Sequence, residues 1–175
     1  MRGLTIGLMI GALVAAGAFG AAGAFAKDGE APCYVTKAET KYPGDDAPAA
    51  DIAKWMADGA ASAGLPPELP VMAALVESGL RNVEYGDNDS AGFFQMRVAI
   101  WNKGEYFGFP SRPELQLRWF IDMAISFKSQ RIASGLSTTD ENFFGEWIAD
   151  IERPPEQYRG RYQLRLQEAR DLING

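Results

Sequence analysis

The sequence has 175 residues, 47% hydrophobic and 23% charged, which fits one globular domain with short appendages and excludes a mainly disordered or collagen-like chain. Its 17 basic and 23 acidic residues give a formal net charge of −6, which makes nucleic acid a poor partner because nucleic acids bind basic surfaces. The chain contains no histidine, which excludes Ser-His-Asp and Cys-His nucleophiles and removes the commonest zinc ligand. Any catalysis must therefore use other polar side chains. We assign no metal and no cofactor.

The first 26 residues have the pattern of an export signal. Arg2 is followed by an uncharged run rich in Gly, Ala and Leu, and Ala24-Phe25-Ala26 offers small residues at the two positions that a signal peptidase reads. The alternative is a membrane anchor, since the run is long enough to cross a bilayer, about 20 residues. Its many Gly and Ala residues make it a weak anchor. We therefore expect a secreted or cell-envelope protein with no stable membrane insertion after the signal is removed.

Five helical patterns follow a lead-in, residues 27–48, that is rich in Gly, Pro, Asp and Lys and is expected to be flexible. Apolar residues recur at helical spacing in segments delimited by Gly and Pro: 51–63, 68–78, 113 to about 134, 141–151 and 156–173. Pattern alone does not assign the short segment 92–96 or the loop 102–113. Because no repeat or strand-rich stretch is present, the sequence predicts an all-α or nearly all-α domain over residues 49–175.

The second predicted helix is apolar nearly all round, yet it ends on a carboxylate, Glu77. On a helical wheel, its large side chains fill one arc, and only Ala73 and Ala74 flank the side of Glu77. A helix of this kind is buried, so Glu77 is expected to emerge into a partly desolvated place and not, as a lone Glu usually does, into water. Desolvation raises the pKa of a carboxyl, as a general acid working near neutral pH requires.

The loop after this helix supplies three further carboxylates, Glu84, Asp87 and Asp89, any of which could face Glu77 across a cleft. The alternative is that residues 87–90 form a polar turn held by local bonds from side chains to the backbone. A calcium-binding EF-hand loop is excluded, because Val98 stands where its twelfth-position Glu would be.

Two linked motifs carry a resemblance to a known family. E-S-G-L at residues 77–80 is followed, at a similar separation, by S-A-G-F-F-Q-M at residues 90–96. The pair resembles the motifs of the soluble lytic transglycosylase family of lysozyme-like domains, and the resemblance covers roughly residues 50–173. There are departures. Phe93-Phe94 replaces the usual Leu-Met, and the later A-Y-N-A-G-like segment of the family is not recognisable.

The resemblance implies a lysozyme-like helical fold that cuts the β-1,4 bond between N-acetylmuramic acid and N-acetylglucosamine in peptidoglycan. It implies that Glu77 is the catalytic residue, which protonates the glycosidic oxygen and then removes a proton from the muramic 6-hydroxyl as a 1,6-anhydro ring closes. The family also has a late tyrosine near the acid, for which Tyr158 is preferred here to Tyr162. The substrate-binding residues implied in this way are Ser78, Ser90, Phe94, Gln95, Met96 and Tyr158, with the segment 94–96 contributing its backbone.

Two alternatives stay open. The domain could bind glycan without cutting it, or serve as an assembly factor of the cell envelope, instead of acting as an enzyme on peptidoglycan glycan strands. In either case a monomer is expected. Among the aromatic residues, helical spacing predicts core positions for Trp55 and Trp119, whereas Trp101, Tyr106 and Phe107 could either rim a groove or pack in the core.

Overall fold

The described part of this computed structural model, residues 41–84 and 86–175, contains six α-helices, six short 3-10 helices and one short antiparallel hairpin. The elements are α1 (Ala49–Ser62), α2 (Glu68–Glu77), β1 (Ser90–Ala91), β2 (Met96–Arg97), α3 (Val98–Trp101), α4 (Pro113–Ala133), α5 (Phe144–Glu152) and α6 (Leu166–Asn174). The all-α or nearly all-α class is confirmed. Within the described ranges, no helix has the length and apolar composition needed to cross a bilayer. The predicted signal segment, 1–26, and most of the predicted lead-in, 27–48, lie outside the described residues.

Local sequence explains where three of the helices begin and end. Prolines precede α1 and α2, and Pro113 occupies the first position of α4, where its fixed φ suits a helix and its missing N–H costs nothing. At the other end of α4, the chain leaves the helix through Ser134 and Gly135, whose φ of +71° is a conformation that favours glycine. The bounds of these three helices lie within two residues of those predicted.

The prediction of one continuous helix over residues 156–173 is wrong. The segment forms two tighter 3-10 turns, Glu156–Arg161 and Gln163–Arg165, before α6 begins. Gly160 weakens the helical preference of this stretch, so tertiary contacts decide its path. Tyr162 lies between the two turns and is buried, which shows that the break in the helix carries this side chain into the interior.

The core surrounds α2, which contacts α1, α4, α5 and α6. Its residues Val71, Met72, Ala73 and Ala74 are all fully buried. Trp55 on α1 and Trp119 on α4 are buried in the same core, as their helical spacing predicted. The prediction that α2 is buried on nearly every side, because it is apolar on nearly every side, is therefore confirmed.

The segment 92–96, left unassigned by its pattern, is the turn of the hairpin and the beginning of its second strand. Ser90 pairs with Arg97, and Ala91 pairs with Met96. Each strand has only two residues, too few for the alternation of apolar and polar residues that marks a strand in sequence.

A fully buried amide, Gln116 of α4, fixes the hairpin turn in place. Its Oε1 accepts a hydrogen bond from the Phe93 backbone N–H (2.8 Å), and its Nε2 donates to the carbonyl of Phe109 (2.9 Å) and to Oδ1 of Asn82 (3.0 Å). Gly92 has a φ of +82°, and a Cβ atom there would lie 2.3 Å from the Gln116 Oε1. Glycine is therefore required at the turn both for its backbone conformation and for the close approach of the amide.

Candidate active site

Glu77 is the last residue of α2, and its half-buried carboxyl lies where the core meets a cavity. Burial raises the pKa of the Glu77 carboxyl, and a hydrogen bond from Tyr162 partly opposes this rise. The expectation that the apolar helix delivers Glu77 to a desolvated place is thus confirmed.

The tyrosine that contacts the acid is Tyr162, and the choice of Tyr158 for this position is corrected. The Tyr162 hydroxyl donates to Glu77 Oε1 at 2.5 Å, and the residue is 1% exposed. Burial and the neighbouring Glu77 carboxyl raise the pKa of the Tyr162 hydroxyl well above its usual range, so it remains a donor. Tyr158 is 39% exposed and lines the cavity, with the Arg161 guanidinium over its ring. Tyr162, and not Tyr158, reaches Glu77 because the chain breaks between the two 3-10 turns and points Tyr162 inward.

The cavity has a volume of about 260 Å³ and lies between the end of α2 and the chain that follows α5. This volume is just below the range of about 300–1,000 Å³ that is usual for small-molecule sites, so it suits one ring-sized group. The residues that line it are Val76, Glu77, Glu152, Pro154, Pro155, Tyr158, Arg161 and Tyr162.

A second carboxyl, Glu152, shares this cavity and was not singled out from the sequence. It is the last residue of α5, and its Oε1 is buried with no hydrogen-bond partner among the described residues. Burial, and then the nearby Glu77 carboxyl, raise the pKa of Glu152 well above its ordinary value. A signal was present: Glu152 follows Ile148 by four residues and Ala149 by three, which places it on the buried face of α5.

Ser78, expected to bind substrate, is engaged within the protein. Its hydroxyl lies 2.9 Å from the carbonyl of Phe93 and 3.1 Å from the carbonyl of Ala74, and it accepts a bond from the Arg81 N–H at 3.3 Å. Ser78 therefore ties the end of α2, and with it Glu77, to the hairpin turn.

The side chains of Phe94 and Met96, which were expected to bind substrate through their backbone, lie in the core. Phe94 is 1% exposed and stacks on Phe120, with ring centroids 4.7 Å apart, and Met96 is equally buried. Their apolar surface is more stable against the helices than in a wet groove. Only their backbone, which the resemblance implies, is left to contact a ligand.

Gln95 and Ser90 lie elsewhere on the hairpin, and neither is among the residues that line the Glu77 cavity in the described part of the chain. Gln95 adopts a φ of +46°, and its Nε2 donates to the carbonyl of Gly92 at 3.1 Å. Ser90 lines a separate, more open cavity of about 420 Å³ together with Glu84, Gly86, Asp89, Val98 and Ala99.

The carboxyl that shares a cavity with Glu77 is thus Glu152, and not Glu84 or Asp89. The Asp89 carboxylate accepts bonds from the Ala99 N–H (2.9 Å) and from Arg97, and these two bonds lower its pKa. It therefore secures the start of α3. Glu84 is exposed, and the side chain of Asp87 lies outside the described residues.

Three aromatic residues between the end of α3 and the start of α4 have different environments. Trp101 packs against Trp119, with ring centroids 5.4 Å apart, and against Tyr106 at 6.0 Å. The Tyr106 hydroxyl donates to Oδ2 of Asp122 at 2.8 Å. Phe107 is 69% exposed. Trp101 and Tyr106 therefore buttress the core, and Phe107 alone is presented to solvent.

Comparisons of the chain with protein-family models, curated proteins and solved structures find no match. Function must therefore be inferred from the chemistry of the cavity. In the described part of the chain, no group of three or more Cys, Asp or Glu side chains is arranged to hold a metal ion. What the cavity does contain is two carboxyls with raised pKa values and a tyrosine hydroxyl bonded to one of them, an arrangement suited to proton transfer.

Proposed function

We propose that the protein is an exported peptidoglycan lytic transglycosylase with a lysozyme-like domain, and that it cleaves the bond between N-acetylmuramic acid and N-acetylglucosamine. The observation that carries this proposal is the state of Glu77: a half-buried carboxyl on the wall of a cavity, with a raised pKa and a tyrosine donor on one oxygen. The paired motifs at residues 77–80 and 90–96 support the same conclusion.

In the first step, Glu77 acts as the acid. Its proton moves to the glycosidic oxygen while the bond from that oxygen to C1 of the muramoyl ring breaks. A carboxyl in water would already have lost this proton near neutral pH, and burial is the means by which glycan-cleaving sites retain it. The raised pKa of Glu77 therefore supports this role.

In the second step, the Glu77 carboxylate acts as the base. It takes the proton of the muramoyl 6-hydroxyl, whose oxygen forms the new bond to C1 and closes the 1,6-anhydro ring. The hydrogen bond from the Tyr162 hydroxyl stabilises the carboxylate between the two steps, since that bond lowers the pKa which burial raises. One group can then give a proton and take one back.

The environment of Glu152 favours ring closure over hydrolysis with inversion. Glycosidases that invert the sugar use a second carboxylate as the base that activates water. Burial and the nearby Glu77 carboxyl raise the pKa of Glu152 well above its usual value, which disfavours the ionised form that such a base needs. The muramoyl 6-hydroxyl, which is part of the substrate, needs no second base once Glu77 is ionised.

Digestion of purified peptidoglycan by the protein, followed by mass analysis of the released muropeptides, tests the proposal. Products lighter than their hydrated counterparts by one water are expected. Hydrated products would establish a hydrolase instead. Binding of the protein to peptidoglycan without any release would establish the binding module.

A further inference from the structure

We infer that Arg161 binds a carboxylate of the substrate at the Glu77 cavity and thereby selects muramoyl glycan over neutral glycan. Arg161 is exposed and lines the same cavity as Glu77, so a ligand that reaches the acid also meets this guanidinium. The inference rests on the proposed function, because it concerns which sugar the cavity accepts.

The Arg161 guanidinium is held in a defined orientation. Its Cζ atom lies 3.9 Å from the centroid of the Tyr158 ring, which is a close cation–π contact. A guanidinium that stacks on an aromatic face directs its N–H groups outward along its edges. The donors are thereby oriented before any ligand arrives.

The charge of Arg161 has no counter-ion within the described ranges 41–84 and 86–175. Among the described residues, no carboxylate lies within ion-pair distance of Arg161. Its neighbours in sequence differ: Arg159 pairs with Asp150 at 2.6 Å, and Arg165 pairs with Glu168 at 2.7 Å. Burial raises the pKa of both carboxyls in the cavity, which weakens them as partners for the cation.

A carboxylate is the ligand that these features fit, because the guanidinium fork can bind its two oxygens together. Peptidoglycan carries carboxylates in two places: on the lactyl group of a muramoyl residue that has lost its peptide, and on the stem peptide. Oligomers of N-acetylglucosamine carry none. Both sources present a carboxylate on the muramoyl side of the bond that is cut.

Binding of a disaccharide that lacks the scissile bond tests the inference without requiring turnover. The ligands are N-acetylglucosaminyl-N-acetylmuramic acid with a free lactyl carboxylate, the same disaccharide carrying its stem peptide, and the same disaccharide with the lactyl group converted to a neutral methylamide. Calorimetry should give a Kd for at least one of the first two that is about five- to tenfold lower than for the methylamide. Which of the two binds more tightly identifies the source of the carboxylate.

Two variants assign the effect to one side chain. Arg161→Gln should raise the Kd of the preferred ligand to that of the methylamide, whereas Arg165→Gln, which removes the same charge outside the cavity, should leave it unchanged. Equal affinities of the wild-type protein for all three ligands, no binding of any of them, or an unchanged Kd in Arg161→Gln would overturn the inference. Carboxylate-dependent binding without muropeptide release would instead contradict the proposed function alone.

Discussion

Replacing Gln116 with Leu should destabilise the domain by about 2 kcal/mol, because a fully buried amide would be removed from three partners. Leu has a similar size, so little cavity is created. The backbone N–H of Phe93, a fully buried residue, would be left unpaired, whereas the carbonyl of Phe109 would lose one bond and keep the one that the Arg112 N–H donates. The orphaned N–H costs about 1–3 kcal/mol, the bonds lost by the Phe109 carbonyl and by Asn82 cost about 1 kcal/mol together, and the added apolar surface returns about 1 kcal/mol.

Urea unfolding followed by tryptophan fluorescence measures this loss, and a thermal scan should show a fall in Tm of roughly 4–8 °C. Gln130→Leu is the matched control, since Gln130 lies on the same helix and is exposed. A loss for Gln116→Leu below about 1 kcal/mol, or no larger than that of the control, would refute the reasoning that this amide holds the hairpin turn.

Two predictions concern the cavity. Tyr162→Phe should raise the pKa of Glu77, because the lost hydrogen bond favoured the carboxylate, whereas the control Tyr158→Phe should leave that pKa unchanged. Carbon-13 NMR titration of the glutamate carboxyls measures the pKa of Glu77. A fall of this pKa in Tyr162→Phe would contradict the prediction. Glu152→Gln should raise the stability of the domain at neutral pH, by about 1–3 kcal/mol, whereas Glu146→Gln on the exposed face of α5 should leave it near the wild-type value. The sign follows from proton binding: a carboxyl whose pKa is raised by folding binds more protons in the folded state. The wild-type domain therefore loses stability as pH rises from about 4.5 through the folded pKa, and the variant lacks this loss. Thermal scans from pH 4 to 8 would contradict the prediction if the Tm of the wild-type protein and the Tm of Glu152→Gln changed with pH in the same way.

The position and the environment of Glu77 could be predicted from sequence because they depend on a local pattern. Apolar residues surround α2 on nearly every side, so the helix must be buried, and a carboxyl at its last position must emerge at the edge of the core. The class of the fold followed from the same periodicity in the other helices.

The partners of Glu77 could not be predicted, because they come from distant parts of the chain. Tyr162 is 85 residues away from Glu77 in sequence. It reaches the carboxyl because the segment 156–173, for which the local pattern indicated one helix, is broken into turns. The sequence places Glu152 on the apolar face of α5, but only the packing of α5 against α2 brings it to the Glu77 cavity. The hairpin escaped prediction because its two-residue strands are held by Gln116, which lies on another element.

The release of muropeptides by Glu77→Gln, compared with the wild-type protein and with Glu146→Gln, tests the central claim most directly. The amide retains the size of the carboxyl but cannot give or take the proton, and general acid–base catalysis contributes about 10²–10⁴-fold. Because one group serves both steps, release by Glu77→Gln should fall by about 10⁴-fold, with the Tm and glycan binding preserved and Glu146→Gln unaffected. Release by Glu77→Gln at the wild-type rate would contradict the assignment of Glu77 as the catalytic acid and base.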